Sequence, residues 1–195
     1  MSDISTTAIP TRDFHGLQIP EAGTYAVDTS HSELTFSVRH MMVSKVRGRF
    51  GDVEGTVTIA EDPLQSSVEV TIAAASVDTG TPDRDAHLTS PDFFDVEAYP
   101  HITFRSTGIS DVKGDTFTLA GDLTVKDVTR PVSFTVTYNG AGKNPWGQVV
   151  AGFEGRIEID REDFGLTWNQ ALETGGVLVG KVATIDIAVE IGAAG

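Results

Sequence analysis

From Gly23 onward the chain alternates. In "HSELTFSVRH" Leu34, Phe36 and Val38 share one parity, and Glu33, Thr35, Ser37 and Arg39 share the other. A period of two places these sets on opposite faces of a β-strand. The same alternation recurs along the chain. Its apolar sets are Tyr25 and Val27; Val68, Val70, Ile72 and Ala74; Ile102 and Phe104; Phe117, Leu119, Leu123 and Val125; Val132, Phe134, Val136 and Tyr138; Phe153, Ile157 and Ile159; and Ile185, Ile187, Val189 and Ile191. This predicts eight or nine amphipathic strands joined by turn signals such as "KGD" and "NGAG". One stretch changes phase. In "VRGRFGDVEGTVTIA", Val46, Gly48 and Phe50 share one parity, whereas Val53, Val57 and Ile59 share the other, and a bulge near Gly51 reconciles the halves within one strand.

Two segments depart from the alternation. "TPDRDAHLTSPDFFDVEAYP" carries Pro82 and several acids where a helix would start, then Leu88, Phe93 and Phe94, and predicts a short helix or two. "REDFGLTWNQALETGGVLVG" predicts a turn of helix around Trp168 to Leu172. Residues 1–22 are polar, contain Pro10 and Pro20, and show no sustained period, so they read as a disordered or loosely packed tail before a domain over residues 23–192.

Strands with one dry face must press it against another dry face. A sandwich or a closed barrel does this, and closure also removes exposed edges. At about 3.3 Å per residue, strands of ten or so residues wall a tube roughly 30 Å long. Eight strands enclose either a filled core or room for one small ligand. Period alone does not choose between the two.

Composition narrows the partners. The chain has 195 residues, enough for one domain, and 39% of them are hydrophobic. Its formal charge of −14 argues against nucleic acid, whose phosphates demand a basic face, and against general adsorption to an anionic membrane. There is no cysteine, so thiol chemistry, disulfides and cysteine metal sites are excluded. The opening "MSDISTTAIPTRDFHGLQIP" lacks a basic cluster followed by an apolar core, and no stretch approaches the roughly 18 apolar residues of a membrane span. The expected location is cytoplasmic.

Few motifs carry chemistry. "GGVLVGKV" nearly matches a phosphate-binding loop, but Val182 stands where a hydroxyl is needed and a strand follows instead of a helix. Asp78, Asp83, Asp85 and His87 match no calcium or zinc spacing and read as a helix start whose acids meet free N–H groups. No nucleophile elbow is present. His31 and His101 fall on solvated faces. His40 continues the inward row of Leu34, Phe36 and Val38, so it projects inward at a strand end, beside Met41 and Met42. Those methionines either line an adaptable mouth or plug one end of the core. Arg39, Lys45, Arg47 and Arg49 place four of the fourteen basic residues within one short stretch of this acidic chain.

Together, "YAVDTSHS" from Tyr25, "FSVRHMM" from Phe36, "VRGRF" from Val46, "SVDTG" from Ser76, "RDAHL" from Arg84, "SPDFFDVEAYPHITFRST" from Ser90, "GDLTVKDVTRPV" from Gly121 and "REDFG" from Arg161 resemble the YceI-like polyisoprenoid-binding family, in family order from about Gly23 to Ile191. The resemblance implies an all-β, eight-stranded antiparallel lipocalin-like barrel. Its apolar lumen would hold a polyisoprenoid lipid, such as a prenyl diphosphate or a prenylated quinone, without enzymatic chemistry and without a metal or redox cofactor. On that reading the lumen is lined by Leu34, Phe36, Val38, Met41, Met42, Phe50, Ile72, Phe104, Leu119, Leu123, Phe134, Val136, Phe153, Ile157, Ile185 and Ile187. Lys45 with Arg47 or Arg49 would face the ligand's head group near His40, with Arg84 and His87 as a second set. A homodimer is compatible with the resemblance, although no patch demands one. Two other readings share the barrel: a small-molecule hydrolase or isomerase using His40 and a carboxylate, and a ligand-free structural or stress-response protein with a filled core.

Overall fold

In the computed structural model, which describes residues 11–173 and 175–193, the alternation becomes thirteen strands, one α-helix and three short 3-10 turns. The strands are β1 Thr11–Phe14, β2 Leu17–Pro20, β3 Gly23–Val27, β4 Glu33–His40, β5 Ser44–Phe50, β6 Val53–Ile59, β7 Ser67–Ala73, β8 Val77–Asp78, β9 His101–Lys113, β10 Thr116–Val125, β11 Val128–Lys143, β12 Val149–Asp160 and β13 Val179–Ala193. The helix, α1, is Pro82–Thr89.

Apart from β1 and β2, these strands form one antiparallel sheet that closes where β12 pairs with β13. The barrel has eight staves, because three staves each consist of two strands in line. β13 pairs with β3 near Ile191 and with β4 from Val179 to Ala188. Beside them, β6 pairs with β3 and β7, whereas β5 pairs with β4 and β8. The doubled staves are therefore β3 with β4, β5 with β6, and β7 with β8.

Each doubled stave jogs at a stitched corner. Gly51 N–H donates to Ser76 O at 3.1 Å, and Ala73 N–H donates to Asp52 O at 3.0 Å. The phase slip at Gly51 is thus a break between two strands with different partners, not a bulge inside one. Between β3 and β4, Asp28 N–H donates to Glu190 O, and the Ser32 hydroxyl takes the Glu190 N–H at 3.0 Å. The "DTSHS" segment is the clamp that lets one stave change direction against β13.

This clamp titrates. His31 Nδ1 lies 2.9 Å from Asp28 Oδ2 and 3.7 Å from Glu190 Oε1. The hydrogen bond to Asp28, then the charges of Asp28 and Glu190, raise the imidazole pKa. Hydrogen bonds from Ser30 and then His31 hold the Asp28 carboxyl far below the usual carboxylate range. A raised histidine contributes stability fully below its unfolded pKa of about 6.5, and loses it as pH rises through the folded value. A depressed aspartate contributes above about pH 4 and loses its share as pH falls. Stability should therefore decline as pH climbs above about 6.5 and through the raised folded value. Thermal melts of His31→Gln across that window should show a flatter profile than the native chain.

Residues 11–20, assigned above to the tail, form a hairpin with His15 and Gly16 both at positive φ, as a type I′ turn requires. Leu17 and Ile19 pack on Val57, Ile59, Tyr138, Ala151 and Ile191, and Pro20 is fully buried. Tyr138 Oη donates to Gln18 O at 2.7 Å. Two four-residue strands are too short for a period to register. Residues 1–10 of the expected tail lie outside the described residues.

The helix expected around Trp168 to Leu172 is absent. A 3-10 turn at Arg161–Phe164 ends on Gly165 in the left-handed region, and an isolated bridge joins Ala171 to Val177. The near phosphate loop forms this second turn: Gly175 and Gly176 both take positive φ, and Lys181 pairs with Glu162 at 2.7 Å.

Candidate functional site: an apolar lumen with a basic end

A cavity of about 530 Å³ runs inside the barrel, within the range of roughly 300–1,000 Å³ usual for small-molecule sites. The two dry clusters lie toward its two ends. Ile72, Ala74, Phe93, Ile102, Leu123, Val125, Phe164 and Leu166 pack at the end that carries α1. Val57, Ile59, Tyr138, Ala151 and Ile191 pack under the N-terminal hairpin. Between them, inward residues such as Phe36, Phe134, Phe153, Ile185 and Ile187 are only half-buried. The surface they keep faces the lumen. The interior is not filled by the protein's own side chains.

Glycine keeps it open. Phe36 lies across Gly48, Phe104 across Gly121 and Phe134 across Gly155, each on the neighbouring stave. A Cβ at Gly121 would stand 2.4 Å from Phe104 Cζ and 2.6 Å from Arg105 O. The rings therefore rest against the wall, in the space other residues would fill, and do not project toward the axis.

Of the sixteen apolar positions expected at the lumen, fourteen line it: Leu34, Phe36, Val38, Phe50, Ile72, Phe104, Leu119, Leu123, Phe134, Val136, Phe153, Ile157, Ile185 and Ile187. Met41 and Met42 do not. They form the β4–β5 turn, both at positive φ, with Met42 63% exposed. The chain reverses immediately after His40, so the inward parity of β4 stops there.

Of the polar candidates, His40, Arg84 and His87 line the cavity at its α1 end. Lys45, Arg47 and Arg49 do not reach it. They alternate with inward Val46, Gly48 and Phe50, so parity sends them to the outer face, where Arg49 pairs with Asp78 at 3.1 Å. Arg84 donates through Nε to Thr79 Oγ1 at 2.7 Å and through its fork to Thr79 O and Thr81 Oγ1. The His87 ring meets Phe93 and Trp168 edge to face, with Nε2 at 3.0 Å from Asp92. The acids of this segment act locally: Asp85 accepts from Thr79 N–H, and Asp78 from Gly80 N–H.

Sequence reasoning missed Arg161. It is 4% exposed, the buried charged residue among those described, and it lines the same end of the lumen. Its guanidinium donates to Gly180 O at 2.8 Å, to Trp168 O at 3.0 Å, to Leu166 O, and at longer range to Val179 O. No carboxylate touches it among the described residues. Asp160 caps Glu162 N–H, and Glu162 pairs with Lys181. Burial lowers its pKa from the ordinary arginine value, yet an arginine stays charged. The signal was available: Arg161 continues the inward row of Ile157 and Ile159, by the same parity that marked His40.

Fold and site define a closed antiparallel barrel whose long apolar lumen ends at a buried arginine bonded to carbonyls and to no carboxylate among the described residues. The YceI-like domain model matches residues 25–191, and the chain belongs to that family. The UPF0312 protein SAS2572 of Staphylococcus aureus (strain MSSA476) is 39% identical over 171 residues, spanning 85% of this chain and 95% of the relative. The crystal structure of BcnA from Burkholderia cenocepacia superposes with a TM-score of 0.74 at 25% identity, covering 84% of this chain and 98% of BcnA. A polyisoprenoid binding domain from Saccharophagus degradans, implicated in plant cell wall breakdown, superposes with a TM-score of 0.65 at 14% identity, over 89% of this chain and 100% of that domain. That last likeness is one of fold. Among the described residues no helix is long and apolar enough to cross a membrane.

Proposed function

We propose that this protein binds and carries a polyisoprenoid lipid, such as a prenyl diphosphate or a prenylated quinone, without altering it. The observation that carries this reading is the lumen of about 530 Å³, walled by apolar side chains from all eight staves. Each methylene buried there is worth about 0.8 kcal/mol, so a few isoprene units supply the affinity. The polar end of the ligand then sets orientation. It lies at the α1 end, where Arg161, Arg84, His40 and His87 converge and where Arg161 lacks an acidic partner.

Mass spectrometry of organic extracts from the purified protein should find a prenyl lipid at a substantial fraction of one per chain. Incubation with that lipid should return it intact. Extracts without lipid, together with no thermal shift on adding prenyl ligands, would reject the proposal, and conversion of the ligand would replace it with catalysis.

A further inference from the structure

The carrier reading leaves one sequence feature unused: three apolar residues and a group of basic ones at the β4–β5 hairpin. The turn projects from the α1 end of the barrel, one residue beyond the lumen-lining His40. Met41 is 43%, Met42 63% and Val43 80% exposed, a contiguous apolar tip in a chain of charge −14. Its backbone suits other residues better. Met41 and Met42 have φ of 50° and 62°, in the left-handed region where glycine and asparagine are cheaper. Unfavourable residues kept at an exposed site point to a use for their side chains.

The flanks add charge. Arg39 and Lys45 stand directly opposite each other across the hairpin, a like-charge pairing that works against the sheet. Arg47 follows on the same outer face, opposite Ser37. None of the three makes an ion pair among the described residues. Of the acids on neighbouring elements, Asp78 is paired with Arg49, Glu162 with Lys181 and Asp186 with Arg156, whereas exposed Glu173, on the loop whose Gly176 lies beside Met42, makes no ion pair among the described residues. At physiological salt, screening over about 8 Å hides most of the acidic body from a surface at the tip.

We propose that the β4–β5 tip docks the α1 end of the barrel onto an anionic phospholipid bilayer. Met41, Met42 and Val43 enter the interface, while Arg39, Lys45 and Arg47 face lipid phosphates. Apolar tips ringed by Lys and Arg have this complementarity. Arg39 also borders the lumen, but the proposal rests on the exposure and charge of the tip and does not require that the lumen hold a prenyl lipid.

Flotation of the full chain with vesicles tests it. Vesicles of equal parts phosphatidylglycerol and phosphatidylcholine should carry the protein upward, and pure phosphatidylcholine should carry far less. Each basic residue near such a surface is worth roughly fivefold in partitioning, so Arg39→Gln, Lys45→Gln and Arg47→Gln together should reduce binding on the order of a hundredfold. Raising the salt to about 0.5 M should remove most of the preference for phosphatidylglycerol. Met41→Asn, Met42→Asn and Val43→Ser together keep residues that tolerate the turn and should lower binding about tenfold or more. Lys113→Gln, at the other end of β9, should change little. If the native chain fails to float, or if both triple variants float as it does, the proposal is wrong. Tip-dependent dimerisation in sedimentation without vesicle binding would overturn it in favour of a second copy of the chain.

Discussion

Replacing Arg161 by methionine should cost about 3–5 kcal/mol, since removing one member of a buried charged network leaves its partners unsatisfied. Here the partners are the carbonyls of Leu166, Trp168, Val179 and Gly180. These belong to the segment that leaves β12, turns at the Ala171–Val177 bridge and re-enters the barrel as β13. One planar fork ties the departing chain to the returning one. Methionine fills similar volume and relieves the cost of burying a charge, which keeps the loss below the sum of the separate bonds. For a chain of this length the melting temperature should fall by roughly 10 °C. Arg161→Lys should recover little, because an ammonium cannot reproduce the fork that reaches several carbonyls at once. Thermal and urea denaturation of both variants check this. If Arg161→Lys matches the native chain, the carbonyl clamp is not what holds the segment. A second readout addresses the ligand: the preference for a prenyl phosphate over the matching prenyl alcohol should shrink in Arg161→Met.

Gly121→Val should destabilise the barrel by about 1–3 kcal/mol, the usual cost of overpacking. A side chain at Gly121 meets the Phe104 ring and also Arg105 O of the adjacent strand. The ring can swing away only into the lumen, so the same substitution should reduce prenyl-lipid uptake. The paired variant Gly121→Val with Phe104→Leu should regain part of the stability, because a smaller side chain yields. It should not regain all of it, since the carbonyl of Arg105 does not move without the sheet. Denaturation midpoints of the single and double variants measure the coupling. Strict additivity would show that ring and glycine do not share this space.

Much of the barrel was legible because a strand has a short, rigid period. The inward rows of β4, β7, β9, β10, β11, β12 and β13 could be read residue by residue, and fourteen of sixteen expected positions line the lumen. The same rule, applied evenly, would have done more. It places Lys45, Arg47 and Arg49 outside, opposite Val46, Gly48 and Phe50, and it places Arg161 inside after Ile159. Attraction between a basic cluster and an anionic head group outweighed parity in the sequence reading, and parity is the stronger constraint. Met41 and Met42 were misplaced for a different reason: a hairpin turn has no parity, and two positive φ values rotate its side chains outward.

Alternation along the chain by itself determined that this protein is built of β-strands with one dry face, in a sandwich or a barrel, and which side chains face inward, since both follow from the twofold geometry of each strand taken alone; closure into a barrel was decided by the pairing of β12 with β13. Tertiary structure alone decided that the interior stays hollow. That outcome depends on which aromatic ring falls across which glycine on the next stave, and such pairings join residues far apart in the chain. It also decided that a buried arginine joins His40, Arg84 and His87 at the lumen's end while Lys45, Arg47 and Arg49 stay on the outer face, because the arginine's acceptors are carbonyls contributed by a loop and a strand that no local pattern links.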